Sequence, residues 1–597
     1  MAKDIAGRLD ALRTRMKSAG IGAVVIPQSD PHQSEYLASH WQARRYFSGF
    51  TGSAGTLVVT LSEALLWTDS RYFIQAASQL AGSGIGLMKD GLAGTPSINA
   101  WLAANMVRGS RVGVDGWMIS AEGARSMVAA LGQYDLGVDV EFDPVDGLWD
   151  ERPPLPKGKV LVHDVKYAGE SAGEKLGRVR SSIAVKQVSG VFISALDEIA
   201  WTLNIRARDV KCNPVATSFL YIGANDCVLF IDGDKLTDEV TAHLNEAGVR
   251  CEGYDCVKGF LEGLDADARV LIDPVKTSAA VAAILGSRAV EGECPVAMMK
   301  AQKNDVQIEG FRRAMVRDGV ALTEAFAEIE RRMEEGVKTT ELDVAAILRE
   351  KRSGQELFFD ESFDTIAGHG PNGAIVHYSA TEESNAKLKR GNLLLVDSGA
   401  QYLDGTTDIT RTISLGDPTA LQKRDFTLVL KGTIALDMAV FPAGTRGVQL
   451  DILAHQYVWR GQNNYLHGTG HGVGHFLNVH EGPQTIRNNN NMTPMTVGMV
   501  TSDEPGLYRE GVHGVRCENL ILTVEAAPVA HGDGTKFLRF ETLTLFPFDT
   551  KLIDMTLFTA EERKWLNGYH ERVRASLMPH LKDDASRGWL EKATAAI

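Results

Sequence analysis

Acids at the ends of apolar runs, and histidines packed among glycines, are the residues of this chain that could do chemistry. In 392–412, NLLLVDSGAQYLDGTTDITRT, the apolar run 393–396 ends in Asp397. Asp404-Gly405 is a hairpin signal, and the returning strand carries Asp408. The two acids are therefore expected on neighbouring strands, with the register open. Thr410, two residues beyond Asp408, shares its face. Asp404 reads as a solvated turn residue. Asp397 does not, because it extends a buried-looking strand. Segment 465–483, YLHGTGHGVGHFLNVHEGP, holds His467, His471, His475 and His480. Glycines at 468, 470, 472 and 474 are expected to let the backbone turn tightly and approach a ligand closely. HGVGH lacks the glutamate of the HExxH zinc motif. In 501–520, TSDEPGLYREGVHGVRCENL, Glu504 follows an apolar run, and a glycine-rich turn leads to Glu518. A second hairpin would set these glutamates opposite one another, with Arg516 pointing the same way as Glu518.

Together the segments supply Asp397, Asp408, His471, Glu504 and Glu518. Four carboxylates and a histidine carry too much negative charge to be buried together uncompensated. Two divalent cations would neutralise them. Held about 3.5–4 Å apart, such ions share carboxylates and a bridging hydroxide. Oxygen-dominated donors suit Mn2+ better than a thiolate-rich zinc site would, with Co2+ and Zn2+ open.

These segments need elements to hold them. Ile5, Leu9, Leu12 and Met16 repeat at helical spacing over 4–19, with Gly20 as a stop, and Ala23–Pro27 reads as a short buried strand. Two stretches echo each other: 24–36 with 65–72, and 191–204 with 228–235, each giving strand, polar loop, helix start and then an apolar strand ending in an acid. Two related α/β units are the expectation. Pro153, Pro154 and Pro156 mark a linker, and a second boundary is placed at 300–304. The third segment opens with a helix at 304–336 carrying the stripe Ile308, Phe311, Met315, Leu322 and Phe326. The expected domains are 1–157, 158–302 and 303–597. In 561–577, Trp565, Leu566, Tyr569, Val573 and Leu577 fall on one helical face, which can serve a dimer or pack on its own domain.

Composition excludes several classes. A net charge of -14 disfavours phosphate backbones, so nucleic acid is not an expected partner. No apolar run is long enough to span a membrane, and the acid-bearing N-terminus is unlike a secretory signal, so a cytoplasmic protein is expected. The six cysteines form no CxxC pair and read as ordinary reduced thiols.

The ordered set D-x10-D, H, E, E resembles the pita-bread metallopeptidase family, which includes methionine aminopeptidase, prolidase and Xaa-Pro aminopeptidase. The similarity is greatest to its cytosolic three-domain Xaa-Pro aminopeptidase branch. It covers nearly the whole chain: DPHQSEY (30–36), SGFTGSAGT (48–56), WTDSRYF (67–73), ALDEIAW (195–201), NP (213–214), GPNGAIVHYSAT (370–381), VDSGAQYLDGTTDITRT (396–412), LHGTGHGVG (466–474), FLNVHEGP (476–483), DEPG (503–506), RCEN (516–519) and WLNGYH (565–570). The resemblance implies an α/β fold: two creatinase-like N-terminal domains, then a pita-bread catalytic domain. It implies metal ligation by Asp397, Asp408, His471, Glu504 and Glu518, and substrate contacts from His377 and His480, with His467 and Arg516 close by. Arg71 would contact the peptide beyond the scissile bond. A homodimer is implied, and Arg71 could come from either subunit. His475 stands where the family pattern has a small residue and is left out of the site.

The implied reaction removes the first residue from peptides with proline second. Proline lacks an N–H and has a locked φ, so an extended substrate cannot dock in the usual way. The metals would activate water and polarise the carbonyl, His377 or His480 would donate to the developing oxyanion, and Glu504 would carry a proton to the leaving nitrogen. The free α-amine would bind a metal or Asp397. Prolidases, which cleave dipeptides, have one N-terminal domain where this chain is expected to have two. Methionine aminopeptidases are usually the catalytic domain alone. Non-catalytic binding modules of this fold have lost metal ligands, which are present here.

Overall fold

The computed structural model describes residues 2–529 and 532–597. Two units are resolved, 1–164 with 170–297, and 165–169 with 298–597.

The first unit is built on two six-stranded mixed sheets. In spatial order one runs Gly86–Lys89, Ala64–Thr68, Thr56–Thr60, Ala23–Pro27, Arg111–Gly113, Gly137–Asp139. The other runs Arg250–Glu252, Cys227–Phe230, Phe219–Gly223, Gly190–Ile193, Val270–Ile272, Ala289–Glu291. Numbered along the chain, each reads 4-3-2-1-5-6. Strand 1 pairs antiparallel with strand 2 and parallel with strand 5 in both. The echo in the sequence is thus a repeated topology. Helix Ala2–Ala19 buries Ile5, Leu9, Leu12 and Met16 to 3% exposure or less. Each such side chain contributes at most about 1.5–3 kcal/mol, enough to dock one helix face. Gly20, at φ +67, ends the helix: its N–H reaches Lys17 O and that of Ile21 reaches Met16 O, a Schellman cap.

In the second unit, helix Asp305–Glu334 starts on a capping box between Asn304 and Gln307. Phe311, Met315, Leu322 and Phe326 are buried along one stripe, with Ile308 partly buried against the same core. A Cβ at Gly310 would lie 2.2 Å from Asp404 O, so the hairpin closing at Tyr402–Gly405 rests directly on this helix. That contact corrects the expectation for Asp404. It is buried, not solvated, and its carboxylate is taken by Arg313 and Arg317 of the helix.

Strand Asn392–Ser398 lies between Ile366–His369 and Ile409–Leu415, antiparallel to both. A six-stranded sheet runs Val440–Pro442, Phe537–Thr542, Asn519–Glu525, Val500–Asp503, Gly470–Gly472, Glu481–Ile486. The C-terminal helix Ala560–Leu577 settles which way its apolar face points. Leu566, Tyr569, Val573 and Leu577 are buried in the unit's own core, and Trp565 stacks on Tyr569 at 5.2 Å. The dimer face expected there is an internal packing face. No helix is long and apolar enough to cross a membrane among the described residues.

Candidate metal centre

The two hairpins bring their acids together as registered pairs. Asp397 lies opposite Thr410, which puts Asp408, two residues earlier, on the same face. Asp503 lies opposite Asn519, so Glu504 and Glu518 face each other one step beyond the last pair. Thr410 ties the two pairs together: its hydroxyl donates to Glu518 Oε2 at 2.7 Å, and Glu518 N donates to Thr410 O at 3.1 Å.

His471 enters from the neighbouring strand Gly470–Gly472. Its Nδ1 is 3.0 Å from Gly472 O, and since a carbonyl only accepts, Nδ1 carries the proton. Nε2 is left with a lone pair, 3.5 Å from Asp408 Oδ2 and 3.6 Å from Glu504 Oε1. Donor atoms of Asp408, His471 and Glu518 all lie within 4.8 Å of one another. Burial pushes the Asp408 and Glu518 carboxyls well above their ordinary range, and the neighbouring carboxylates add to it, Asp397 and Glu504 on Asp408, and Asp408, Asp397 and Glu504 on Glu518. Asp397 Oδ1 is buried with no hydrogen-bond partner among the described residues. Hard oxygen donors, one imidazole lone pair, an orphaned carboxylate oxygen and surplus negative charge fit divalent cations.

Arg516 sits behind this cluster. Its Nη2 donates to Asp397 Oδ2 at 2.6 Å, Nε to Thr410 Oγ1 at 3.0 Å and Nη1 to Tyr508 Oη at 2.8 Å. The side chain is 1% exposed. The resemblance places it close to the substrate contacts; here three of its N–H groups go to Asp397, Thr410 and Tyr508. Tyr508, absent from the sequence reading, continues the chain. Its hydroxyl is 2.8 Å from His467 Nε2, whose Nδ1 is 2.8 Å from Gly468 O. The Nδ1 proton goes to the carbonyl, so the Tyr508 O–H donates to Nε2. Burial pushes the Tyr508 phenol up to about 12, which keeps that proton in place. His467 thus connects to Asp397 through two residues rather than directly. No spacing in the sequence marks Tyr508; only the pairing of Gly506–Arg509 with His513–Arg516 does.

The His480 ring meets that of His471 edge to face at 4.4 Å. His475 is buried, with its ring edge on Phe311 at 5.5 Å. His377 is partly exposed in the turn after Gly370–Ala374. That turn is organised by Glu341, whose buried carboxylate accepts from His369 N, Asn372 Nδ2, Tyr378 Oη and Ala386 N. Arg71 belongs to the first unit. Its guanidinium holds Asp69 through two bonds, 2.9 and 2.8 Å, and lies 3.7 Å from Glu35.

The glycines at 470 and 472 are there for close approach rather than for tight turns. A Cβ would stand 2.0 Å from Ser502 O at Gly470 and 2.2 Å from Glu481 O at Gly472, and neither residue has a positive φ. They let strands, not a ligand, come near.

Acid and histidine donors converging at strand ends in this α/β chain define a metal-dependent hydrolase. Residues 309–525 match metallopeptidase family M24, and 536–597 match the C-terminal region of peptidase_M24. Residues 8–151 and 151–307 each match a creatinase/prolidase N-terminal domain. Aminopeptidase P2 of Arabidopsis thaliana is 41% identical over 99% of this chain and 88% of its own length. A probable Xaa-Pro aminopeptidase P of Penicillium rubens is 42% identical over 100% of this chain and 99% of its own. The crystal structure of X-prolyl aminopeptidase from Caenorhabditis elegans, described as a cytosolic enzyme with a di-nuclear active site, superposes with a TM-score of 0.96. It is 35% identical and covers 99% of this chain and 100% of that one. The chain belongs to metallopeptidase family M24, in the group that carries creatinase/prolidase N-terminal domains.

Proposed function

We propose that this protein is a metalloaminopeptidase that hydrolyses the bond between the first residue of a peptide and a proline in second place. The observation that carries the reading is the convergence of Asp408, His471 and Glu518, with Glu504 alongside, in a chain whose full-length relatives are Xaa-Pro aminopeptidases. Asp397, Asp408, His471, Glu504 and Glu518 would hold two divalent ions. When bound, these supply Lewis acidity, lowering the pKa of water and polarising a carbonyl. Mn2+ is our first choice on the donor set.

The chain's own groups do the rest. Glu504 is 20% exposed, open enough to take a proton and hand it to the leaving nitrogen. Asp397 is oriented by Arg516 through Oδ2, its Oδ1 has no hydrogen-bond partner among the described residues, and a free α-amine would be recognised there. His480, against His471, donates to the oxygen on which charge develops, and His377 serves the same end of the substrate. Arg71 is assigned to longer peptides on the resemblance alone, and the C. elegans enzyme's compartment supports a cytosolic setting. A panel of Xaa-Pro-Yaa, Xaa-Pro and Xaa-Ala-Yaa peptides, assayed with Mn2+, Co2+ and Zn2+, tests the reading. Cleavage confined to Xaa-Pro dipeptides would mean a prolidase-type enzyme. No cleavage of any proline peptide with any metal would end the proposal.

A further inference from the structure

Beneath the two histidines that meet in the site lies a buried ion triad. Glu481 Oε1 accepts from Lys303 Nζ at 2.6 Å, and Glu481 Oε2 is 3.0 Å from Lys300 Nζ. The three side chains are between 0% and 1% exposed. Glu481 follows His480 directly. It is also the residue opposite Gly472, which follows His471, and the ladder breaks register between His471 and Gly472 at that point. Each histidine is therefore the chain neighbour of one member of the Gly472–Glu481 pair, and both lysines contact that glutamate. A Cβ on Gly474 would lie 2.9 Å from Glu481 Oε2, so the glycine spacing of HGVG also makes room for this carboxylate. The lysine side is anchored in turn: Lys303 N donates to Gly498 O at 3.0 Å.

Stability alone does not call for such a triad. Apolar residues of similar volume commonly replace a buried ion cluster without loss, whereas removing one member leaves an uncompensated charge. What the triad adds is direction. One charge-assisted hydrogen bond, from Lys303, and one ion pair, to Lys300, fix where the Glu481 carboxylate lies, next to a break in the strand register.

We propose that Glu481, held by Lys300 and Lys303, is a positioning residue that sets the His471–His480 ring pair. The inference rests on the reading of His471 as a metal ligand and His480 as a substrate contact. Partners that orient metal ligands cost about 10–100-fold in metal affinity or activity when removed.

The test compares Glu481→Gln with the apolar triple variant Lys300→Met/Lys303→Met/Glu481→Met. Mn2+ affinity is measured by titration calorimetry, kcat and KM on an Xaa-Pro-Yaa peptide, and melting temperature by calorimetry. Glu481→Gln is expected to weaken Mn2+ binding and lower kcat by about 10–100-fold, with KM within about two-fold. The triple variant is expected to regain the melting temperature but keep both defects. A triple variant with wild-type Mn2+ affinity and kcat overturns the inference, as does a Glu481→Gln protein that loses only melting temperature. If Glu481→Gln does not fold, the triple variant decides. Should the wild-type bind Mn2+ but cleave no Xaa-Pro peptide, the functional reading falls, while the affinity comparison still judges Glu481.

Discussion

Thr410 has no acid–base chemistry of its own, yet its one hydroxyl accepts from Arg516 Nε and donates to Glu518 Oε2. Residues around the centre divide this way, into those that would face a cation and those that aim them. The division gives two contrasting expectations. Asp408→Asn removes a carboxylate proposed as a metal ligand, so activity should vanish and metal content fall together. His480→Ala removes the contact proposed to form chiefly in the transition state, so kcat and kcat/KM should fall together with metal content kept. Metal analysis by mass spectrometry alongside steady-state kinetics checks both. Loss of metal from the His480 variant would make His480 a ligand; full turnover by the Asp408 variant would remove Asp408 from the set.

At the scale of elements, the site depends on how closely strands approach. Gly470 faces Ser502 O with no room for a methyl group. Gly470→Ala should cost about 1–3 kcal/mol through overpacking, read as a lower melting temperature. An unchanged melting temperature would mean that the strands shift apart freely. Helix Ala420–Asp437 carries an acid at its C-terminal end, where the helix dipole disfavours it. Burial pushes Asp437 up to about 7, against the hydrogen bonds from Asn519 and Thr542. Its folded pKa thus lies above the unfolded value of about 3.9. Between those two values the folded state keeps a proton that the unfolded chain has released, so this residue's contribution is lost as pH rises from about 4 to about 7. Asp437→Asn should therefore match wild-type melting near pH 4 and exceed it at pH 8. Equal melting at both values would show that Asp437 does not titrate in this window.

For the whole molecule, the buried acids make the metal-free protein less stable than the loaded one. Chelation should lower the melting temperature, and adding Mn2+ back should restore it. The gain approaches about 2.7 kcal/mol at a hundredfold excess over Kd. Because the Asp408 and Glu518 carboxyls are raised, their protons compete with the ion, so affinity should rise with pH. A melting temperature indifferent to chelator would argue against cations at this cluster. Among the described residues the cluster Asp408, His471 and Glu518 belongs to the second unit, so the effect of the first unit should show in substrate length. Arg71→Ala should reduce kcat/KM more for a five-residue peptide than for an Xaa-Pro dipeptide. An equal loss on both would assign Arg71 to its ion pairs with Asp69 and Glu35 and not to the peptide.

Sequence alone determined the parts that depend on local order. Apolar runs ending in Asp397 and before Glu504, a hairpin next to Asp404 (its two turn residues are Leu403 and Asp404, one position before the expected Asp404-Gly405), the glycine-rich turn before Val515, the helix stripe from Phe311 to Phe326 and the repeated α/β units all follow from periodicity and turn chemistry. Those are properties of residues a few positions apart, and chain geometry expresses them directly. Tertiary structure decided what depends on partners distant in sequence. Asp404 looks like any turn acid until helix Asp305–Glu334 brings Arg313 and Arg317 to it. The face of Ala560–Leu577 could have served a neighbour until the core closed over it. Nothing in the sequence shows that Arg516 would give donors to Asp397, Thr410 and Tyr508. A buried polar group must find partners, and which of the available ones it finds is set by packing.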